Sequence, residues 1–246
     1  MFPVSFSDSD QHPYGGLNPY SAKNFEVSKA LTNLTIQYGN LKSAKNIVDL
    51  GCGTGRILFH LKDHIKPSQY VGVDCNKQYL RTLQEVHGEE YRTIHINANN
   101  PAFNPDGDIE PRDFRLPLDD NSHKLIIGFA LFNHLSLAWV SAYLNEINRI
   151  LTSDGLFLST WFLLSHFYAR EKHNLHNTYQ FNYIKQQEYH IDSEHSYRNV
   201  AFSEGDIRNT ITNSDLRIVE PIRYGQWVNG PSAVTGHDFI IMRKRV

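Results

Sequence analysis

One short run holds the residue types best suited to chemistry. It is Val48-Asp49-Leu50-Gly51-Cys52-Gly53-Thr54-Gly55-Arg56, answered 25 positions after Asp49 by a second acid, Asp74. Glycines in a turn between a strand and a helix let the backbone come close to a ligand, because no Cβ stands in the way. The pattern is G-x-G-x-G, not the G-x-G-x-x-G of dinucleotide binders. Nor is it a phosphate loop, since Arg56 and Ile57 stand where that loop needs its lysine and hydroxyl. An acid at the end of the next strand, Asp74, can accept both hydroxyls of an adenosine ribose and would repel a 2′-phosphate. Asp49 has a plainer alternative, capping the helix that follows. His134 is the third candidate, because the titration range of histidine suits a proton acceptor at neutral pH. Its plainer reading is packing beneath a ligand or bonding a backbone carbonyl.

Such residues work only if strands and helices hold them. Ile47 to Leu50 reads as a short apolar strand into the glycine turn. Ile57, Leu58, Leu61 and Ile65 mark the helix after it, with Pro67 past its end. Tyr70 to Val73 is a second strand ending in Asp74, and Asn76 can cap the next helix, with Leu80, Leu83 and Val86 inward. Arg92 to Ile96 predicts a third strand, followed by an irregular insertion, Asn97 to Asp113, with three prolines. Lys124 to Phe129 predicts a fourth strand, and Leu137, Val140, Leu144, Ile147 and Leu151 have helical spacing. Asp154-Gly155 reads as a turn into a fifth strand, Leu156 to Phe162. Ser203 to Ile211 is helical, and Leu216 to Val219 and Asp238 to Met242 are the last strands. An earlier helix is expected from Asn24 to Tyr38, preceded by an irregular arm. The alternation predicts an α/β fold, a seven-stranded, mostly parallel sheet with helices on both faces. An aromatic-rich insertion, residues 163–200, follows strand five.

At this point the sequence resembles the class I S-adenosylmethionine-dependent methyltransferases, whose fold is Rossmann-like. The likeness rests on the glycine turn with Asp74, and on Asp113-Phe114-Arg115-Leu116-Pro117-Leu118-Asp119-Asp120-Asn121-Ser122. It continues in Phe129-Ala130-Leu131-Phe132-Asn133-His134-Leu135 and in Ile147-Asn148-Arg149-Ile150-Leu151-Thr152-Ser153-Asp154-Gly155-Leu156. The resemblance implies S-adenosylmethionine as cofactor. Asp49, Gly51, Cys52, Gly53 and Gly55 would line its methionine part, and Asp74 would hold the ribose. Cys75 and Phe114 would flank the adenine. The adenine amine would fall to Asp113, or to Asn97, which occupies the family's usual place after strand three. Phe129 and Ala130 would pass the sulfonium with their backbone.

The acceptor side is less marked. His134 is the candidate base for a hydroxyl acceptor, and Tyr14, Tyr20, Trp161, His166 and Trp227 are candidate acceptor walls, with plain core packing as the alternative. No N-P-P-Y or D-P-P-Y follows strand four, which argues against exocyclic amine methylation on a DNA base. Asn133-His134 and Thr160-Trp161 stand where a metal-dependent catechol enzyme needs acids. His166, His173 and His176 lack a carboxylate or thiol partner at firm spacing, so no metal is expected.

Composition sets the frame. The 246 residues, 40% hydrophobic and 12% aromatic, suit one globular domain over 1–246, with an arm and helix in 1–40 and a substrate-side insertion in 163–200. Lys and Arg number 24 against 26 acids, a net charge of -2, which argues against nucleic acid as partner. The two cysteines exclude a disulfide framework. No apolar run is long enough to span a membrane, and the start has no signal core, so a cytoplasmic setting is the expectation. The functional expectation is methyl transfer to a small organic or sugar-like acceptor, oxygen preferred over nitrogen. The alternatives are RNA or protein methylation, or a cofactor-binding regulator without catalysis.

Overall fold

The computed structural model describes residues 22–41, 46–175, 179–228 and 235–245. Helix α1 (Ala22–Gly39) lays Leu31 and Leu34 against β1 (Ile47–Leu50) and α2 (Arg56–Leu61). Strand β2 (Tyr70–Asp74) leads into α3 (Lys77–His87), and β3 (Arg92–His95) follows. Asn76 caps α3 as expected, its Oδ1 accepting from the backbone N–H of Gln78 (2.9 Å) and Tyr79 (3.2 Å). After the insertion come β4 (His123–Gly128), α4 (Leu137–Ile150) and β5 (Leu151–Trp161). Strand β5 starts at Leu151, five residues before the expected Leu156. The Asp154-Gly155 pair lies within the strand, where the β4–β5 register shifts between His123 and Leu125.

The main sheet is completed by β10 (Leu216–Ile218) and β11 (Asp238–Lys244) and runs β10-β11-β5-β4-β1-β2-β3. Strands β1 to β5 pair in parallel, while β11 is antiparallel to both β5 and β10. Only β11 is therefore reversed. Alternate residues feed the two faces: Val48, Leu50 and Ile126 join the core under α4, whereas Ile47, Leu125 and Ile127 face α1, α2 and α3. On the α4 side, Val140, Leu144, Ile147 and Ile150 are fully buried, each such side chain contributing roughly 1.5–3 kcal/mol. Arg149 on α4 donates to the carbonyls of Leu116 and Leu118 (both 2.8 Å), and Glu146 accepts from Leu116 N–H at 2.7 Å. This clamp fixes the 114–120 segment and holds Phe114 against Trp139 and Tyr143.

Residues 163–200 hold more order than their sequence suggests. Strands β6 (Leu163–Leu164), β7 (Tyr183–Lys185), β8 (Glu188–His190) and β9 (Val200–Ser203) form a second sheet in the order β6-β9-β8-β7, with α5 (His166–Glu171) after β6. Helix α6 (Glu204–Asn213) follows β9 and is capped by Ser203, which accepts from Asp206 N–H. Phe162, Phe181, Ala201, Trp227 and Val228 form a separate small core beside this sheet.

Candidate functional site

The sheet order turns back between β1 and β4, and ligands of open α/β sheets gather at the carboxyl ends of strands at such a point. The glycine turn lies there. Gly51 N–H and Cys52 N–H both donate to the Val73 carbonyl (2.8 and 3.1 Å), which pins the turn to the end of β2. Gly51, Gly53 and Gly55 all have positive φ, at 70°, 54° and 86°. A Cβ at Gly55 would lie 2.6 Å from the His87 ring, whereas one at Gly53 would meet nothing within 4 Å. Gly55 is thus structural, and open space lies over Gly53. Asp74 borders that space: its Oδ2 accepts from Gly53 N–H at 2.9 Å and its Oδ1 from Asn76 N–H at 2.8 Å. The carboxylate, with about four lone-pair sites, keeps capacity for a ligand hydroxyl. Replacing Gly55 by Ala is expected to cost roughly 1–3 kcal/mol of stability, from left-handed backbone strain and the His87 clash. An unchanged melting temperature would show that the turn relaxes freely.

Asp49 sits beneath the turn, sealed and accepting a hydrogen bond from the Tyr70 hydroxyl at 2.9 Å. Burial pushes its carboxyl up to about 7, against the opposing effect of Tyr70. Three further groups converge on the same end of the sheet: Arg56 at the start of α2, His134 in the turn after β4, and His237 just before β11. The Arg56 charge bears on Asp49, His134 and His237 alike, and burial lowers its own pKa. Burial holds His134 down to about 4 and His237 to about 3. Both rings are therefore neutral at neutral pH, and Arg56 supplies the fixed positive charge. His134 Nδ1 lies 3.1 Å from the Tyr197 carbonyl oxygen, which only accepts, so Nδ1 carries the hydrogen. Its Nε2 keeps a lone pair and lies 3.2 Å from Asn133 Nδ2.

The other sequence-derived candidates divide. Cys75 packs against the core that contains Phe114, itself 8% exposed and 4.4 Å from the Tyr143 ring. Asp113 points outward, with 66% of its side chain exposed and an ion pair to Arg112. Asn97 spends its amide inside the insertion, donating to Asp108 (2.7 Å) and accepting from Asn104 (3.1 Å). Phe129 is buried against Phe239. Ala130 has a φ of 54°, and its N–H donates to Thr160 Oγ1 at 2.8 Å. This is the kind of constrained backbone that clusters at ligand sites. Trp161 is sealed in the core, stacked 4.1 Å from Phe132 with its N–H on Ser159, and Trp227 packs 4.9 Å from Phe162. Neither indole presents a face to a ligand, because the main and small cores close over them. His166 is exposed, its ring 4.0 Å from Phe167. Tyr14 and Tyr20 lie outside the described residues.

Residues 47–155 match the family described as a methyltransferase domain. Residues 47–155, less than half of the chain, are thus a methyltransferase domain. The chain is 27% identical over 115 residues to a protein-lysine N-methyltransferase of Saccharomyces cerevisiae, which covers 47% of this chain and 50% of that protein. The chain spans about half the length of the curated relatives it matches. Among solved structures, the PH0226 protein of Pyrococcus horikoshii is similar with a TM-score of 0.59 at 17% identity, over 92% of this chain and 93% of that one. A S-adenosylmethionine-dependent methyltransferase of Clostridium acetobutylicum gives 0.56 at 15%, over 89% and 91%. These likenesses concern the fold.

Around the glycine turn, sequence reasoning passed over Arg56 except as a residue that is not lysine, and it did not single out His237. Arg56 follows the glycine turn directly, so its place beside Asp49 was open to inference. His237 lies 181 positions further on, and only the reversed strand β11 brings it to the site. Among the described residues no cluster of His, Cys, Asp and Glu could hold a metal ion, and no helix is long and apolar enough to cross a membrane.

Proposed function

We propose that this protein transfers the methyl group of S-adenosylmethionine to a hydroxyl of a small organic or sugar-like acceptor. The observation that carries the cofactor reading is the open space over Gly53 beside Asp74, at the point where the sheet order reverses. A nucleoside bound there would have Asp74 accepting from its ribose and Cys75 and Phe114 beside its base. When bound, the cofactor supplies an electrophilic methyl carbon on a positively charged sulfur. The protein would align the acceptor oxygen with that carbon, whose bond to sulfur would break as the new bond to oxygen forms, with sulfur keeping the electron pair. His134, neutral and with its Nδ1 hydrogen fixed on Tyr197, takes the hydroxyl proton at Nε2 once the Asn133 amide gives way.

S-adenosylhomocysteine is expected to bind with micromolar-range affinity, on the order of -8 kcal/mol. Calorimetry giving heat with NAD and none with S-adenosylhomocysteine or S-adenosylmethionine would overturn the cofactor reading. The acceptor is tested by incubating the protein with methyl-labelled S-adenosylmethionine and fractionated cell extract. Label in the low-molecular-weight or glycan fraction supports the proposal. A second reading, methylation of a protein lysine, is favoured by the likeness to the yeast enzyme over 115 residues. Label confined to protein that survives glycosidase treatment would select it instead.

A further inference from the structure

A cavity of about 610 Å³ opens between the 97–113 insertion, the start of α4 and the β7–β8 hairpin. His134 is part of its wall, so it shares that residue with the site described above. The volume falls within the roughly 300–1,000 Å³ of sites that enclose small molecules. The insertion is held in place to form this wall: Asn100 Nδ2 donates to the His134 carbonyl at 2.9 Å, and Asn99 Nδ2 donates to the carbonyls of Pro105 and Gly107. That bonding leaves the Asn99 carbonyl oxygen available as an acceptor.

Charge narrows the ligand. The positive end of α4 borders the cavity but is already occupied, since Glu188 accepts from Leu137 N–H at 2.9 Å and Ser136 Oγ from Trp139 N–H at 3.3 Å. Glu188 is itself buried, accepts from the Tyr197 hydroxyl at 3.0 Å and is held in its charged form by such bonds. Glu110 adds a second negative charge to the lining and Lys185 one positive charge, so an anion is disfavoured. What remains is a rim of neutral donors and acceptors, Asn99, Ser136, Ser141 and Gln186, set among the apolar faces of Pro101 and Leu137. A ring with an apolar C–H face and a hydroxyl edge matches that alternation better than a hydrocarbon.

We propose that this cavity is an acceptor subsite for a neutral, hydroxyl-rich unit, a sugar ring, with a hydroxyl of that unit or its neighbour presented at His134. The proposal rests on the methyl-transfer reading for the meaning of the presented hydroxyl, and the sugar contact itself stands apart from it. The test uses ligand-observed NMR saturation transfer from the full chain to the methyl glycosides of glucose, galactose, mannose and rhamnose, with S-adenosylhomocysteine binding measured alongside by calorimetry. Ala138 is exposed at the cavity wall, and Ala138→Trp fills the space without touching the core. Lys185→Trp, on an exposed strand, does so from the other element.

At least one glycoside is expected to receive saturation from the wild type, with apparent affinity at least about tenfold weaker in both variants and S-adenosylhomocysteine binding unchanged. Normal S-adenosylhomocysteine binding with no glycoside signal overturns the subsite, as does a glycoside signal that persists in both folded variants. Saturation of an acetyl-Gly-Lys-Gly-amide probe, lost on filling while glycosides stay silent, overturns it in favour of a peptide acceptor. Glycoside binding that the variants abolish, in a protein that binds neither form of the cofactor, keeps the subsite and removes the methyl-transfer reading.

Discussion

Asp74→Ala will weaken S-adenosylhomocysteine binding by about 1.5–3 kcal/mol, roughly 10- to 150-fold, while the protein stays folded. Two losses combine. The ribose hydroxyls lose a charged acceptor, and the N–H groups of Gly53 and Asn76 lose the carboxylate that ties the glycine turn to the start of α3. The second loss is local, because Val73 still holds Gly51 and Cys52, and Asn76 still caps α3. Asp74→Asn separates the two effects. Its amide oxygen retains one acceptor for the turn, but its NH₂ must then face either Asn76 N–H or Gly53 N–H, donor against donor. The asparagine variant should therefore fall between wild type and alanine in affinity, with a melting temperature near that of wild type. Calorimetry on the three proteins checks the order. Equal affinity in all three, each folded, would mean that the ribose is held elsewhere.

The parts of this site legible in the sequence are those set by neighbours in the chain. The glycine turn, the Asn76 cap and the acid closing β2 each follow from a few adjacent residue types with a steric or hydrogen-bonding reason. The small second sheet was not legible, and its physical causes are specific. Its strands are two to four residues long, too short for an alternation to register. The β7–β8 turn places Gln186 and Gln187 at φ of 46° and 68°, positions where glycine or asparagine would have announced a hairpin. Strand β5 was clipped for the opposite reason. Thr152-Ser153-Asp154-Gly155 reads as a turn, and these four residues do bulge from the ladder between the His123–Leu151 and Leu125–Leu156 pairs, inside one continuous strand. Trp161 and Trp227 illustrate a third limit. An aromatic residue near a site has the same letter whether it faces a ligand or the core, and only packing separates the two.

His134→Ala is expected to lower the methyl-transfer rate about 100- to 10,000-fold with cofactor affinity changed by less than about threefold. The variant should fold, because the backbone around the site is held independently of the imidazole: Asn100 bonds the His134 carbonyl, and Ala130 N–H bonds Thr160. What the substitution removes is the edge contact with Phe103, whose ring centroid lies 5.0 Å away, the hydrogen bond to the Tyr197 carbonyl and the acceptor for the Asn133 amide. Those losses amount to about 1–2 kcal/mol of stability. The pH profile carries the sharper information. The sequence predicts a base titrating near the ordinary imidazole value, whereas burial holds His134 down to about 4. A depressed pKa keeps the ring neutral and able to accept a proton throughout the neutral range, and that capacity is lost only as the pH falls through about 4. The wild-type rate should thus be level from about pH 5.5 to 8, with no limb near 6.5 from this residue. So low a pKa makes imidazole a weak base at equilibrium. A weak base suffices once the acceptor oxygen has begun to bond to carbon, because the hydroxyl proton becomes strongly acidic at that stage. If His134 only positions Asn133 and the Tyr197 loop, His134→Gln should restore most of the rate, since its amide can still donate to the Tyr197 carbonyl but cannot take a proton. Rates against pH, calorimetric cofactor affinity and melting temperature for the wild type and both variants decide the matter. A His134→Gln enzyme with near-normal turnover would sink the base role and leave alignment of the acceptor as the source of catalysis.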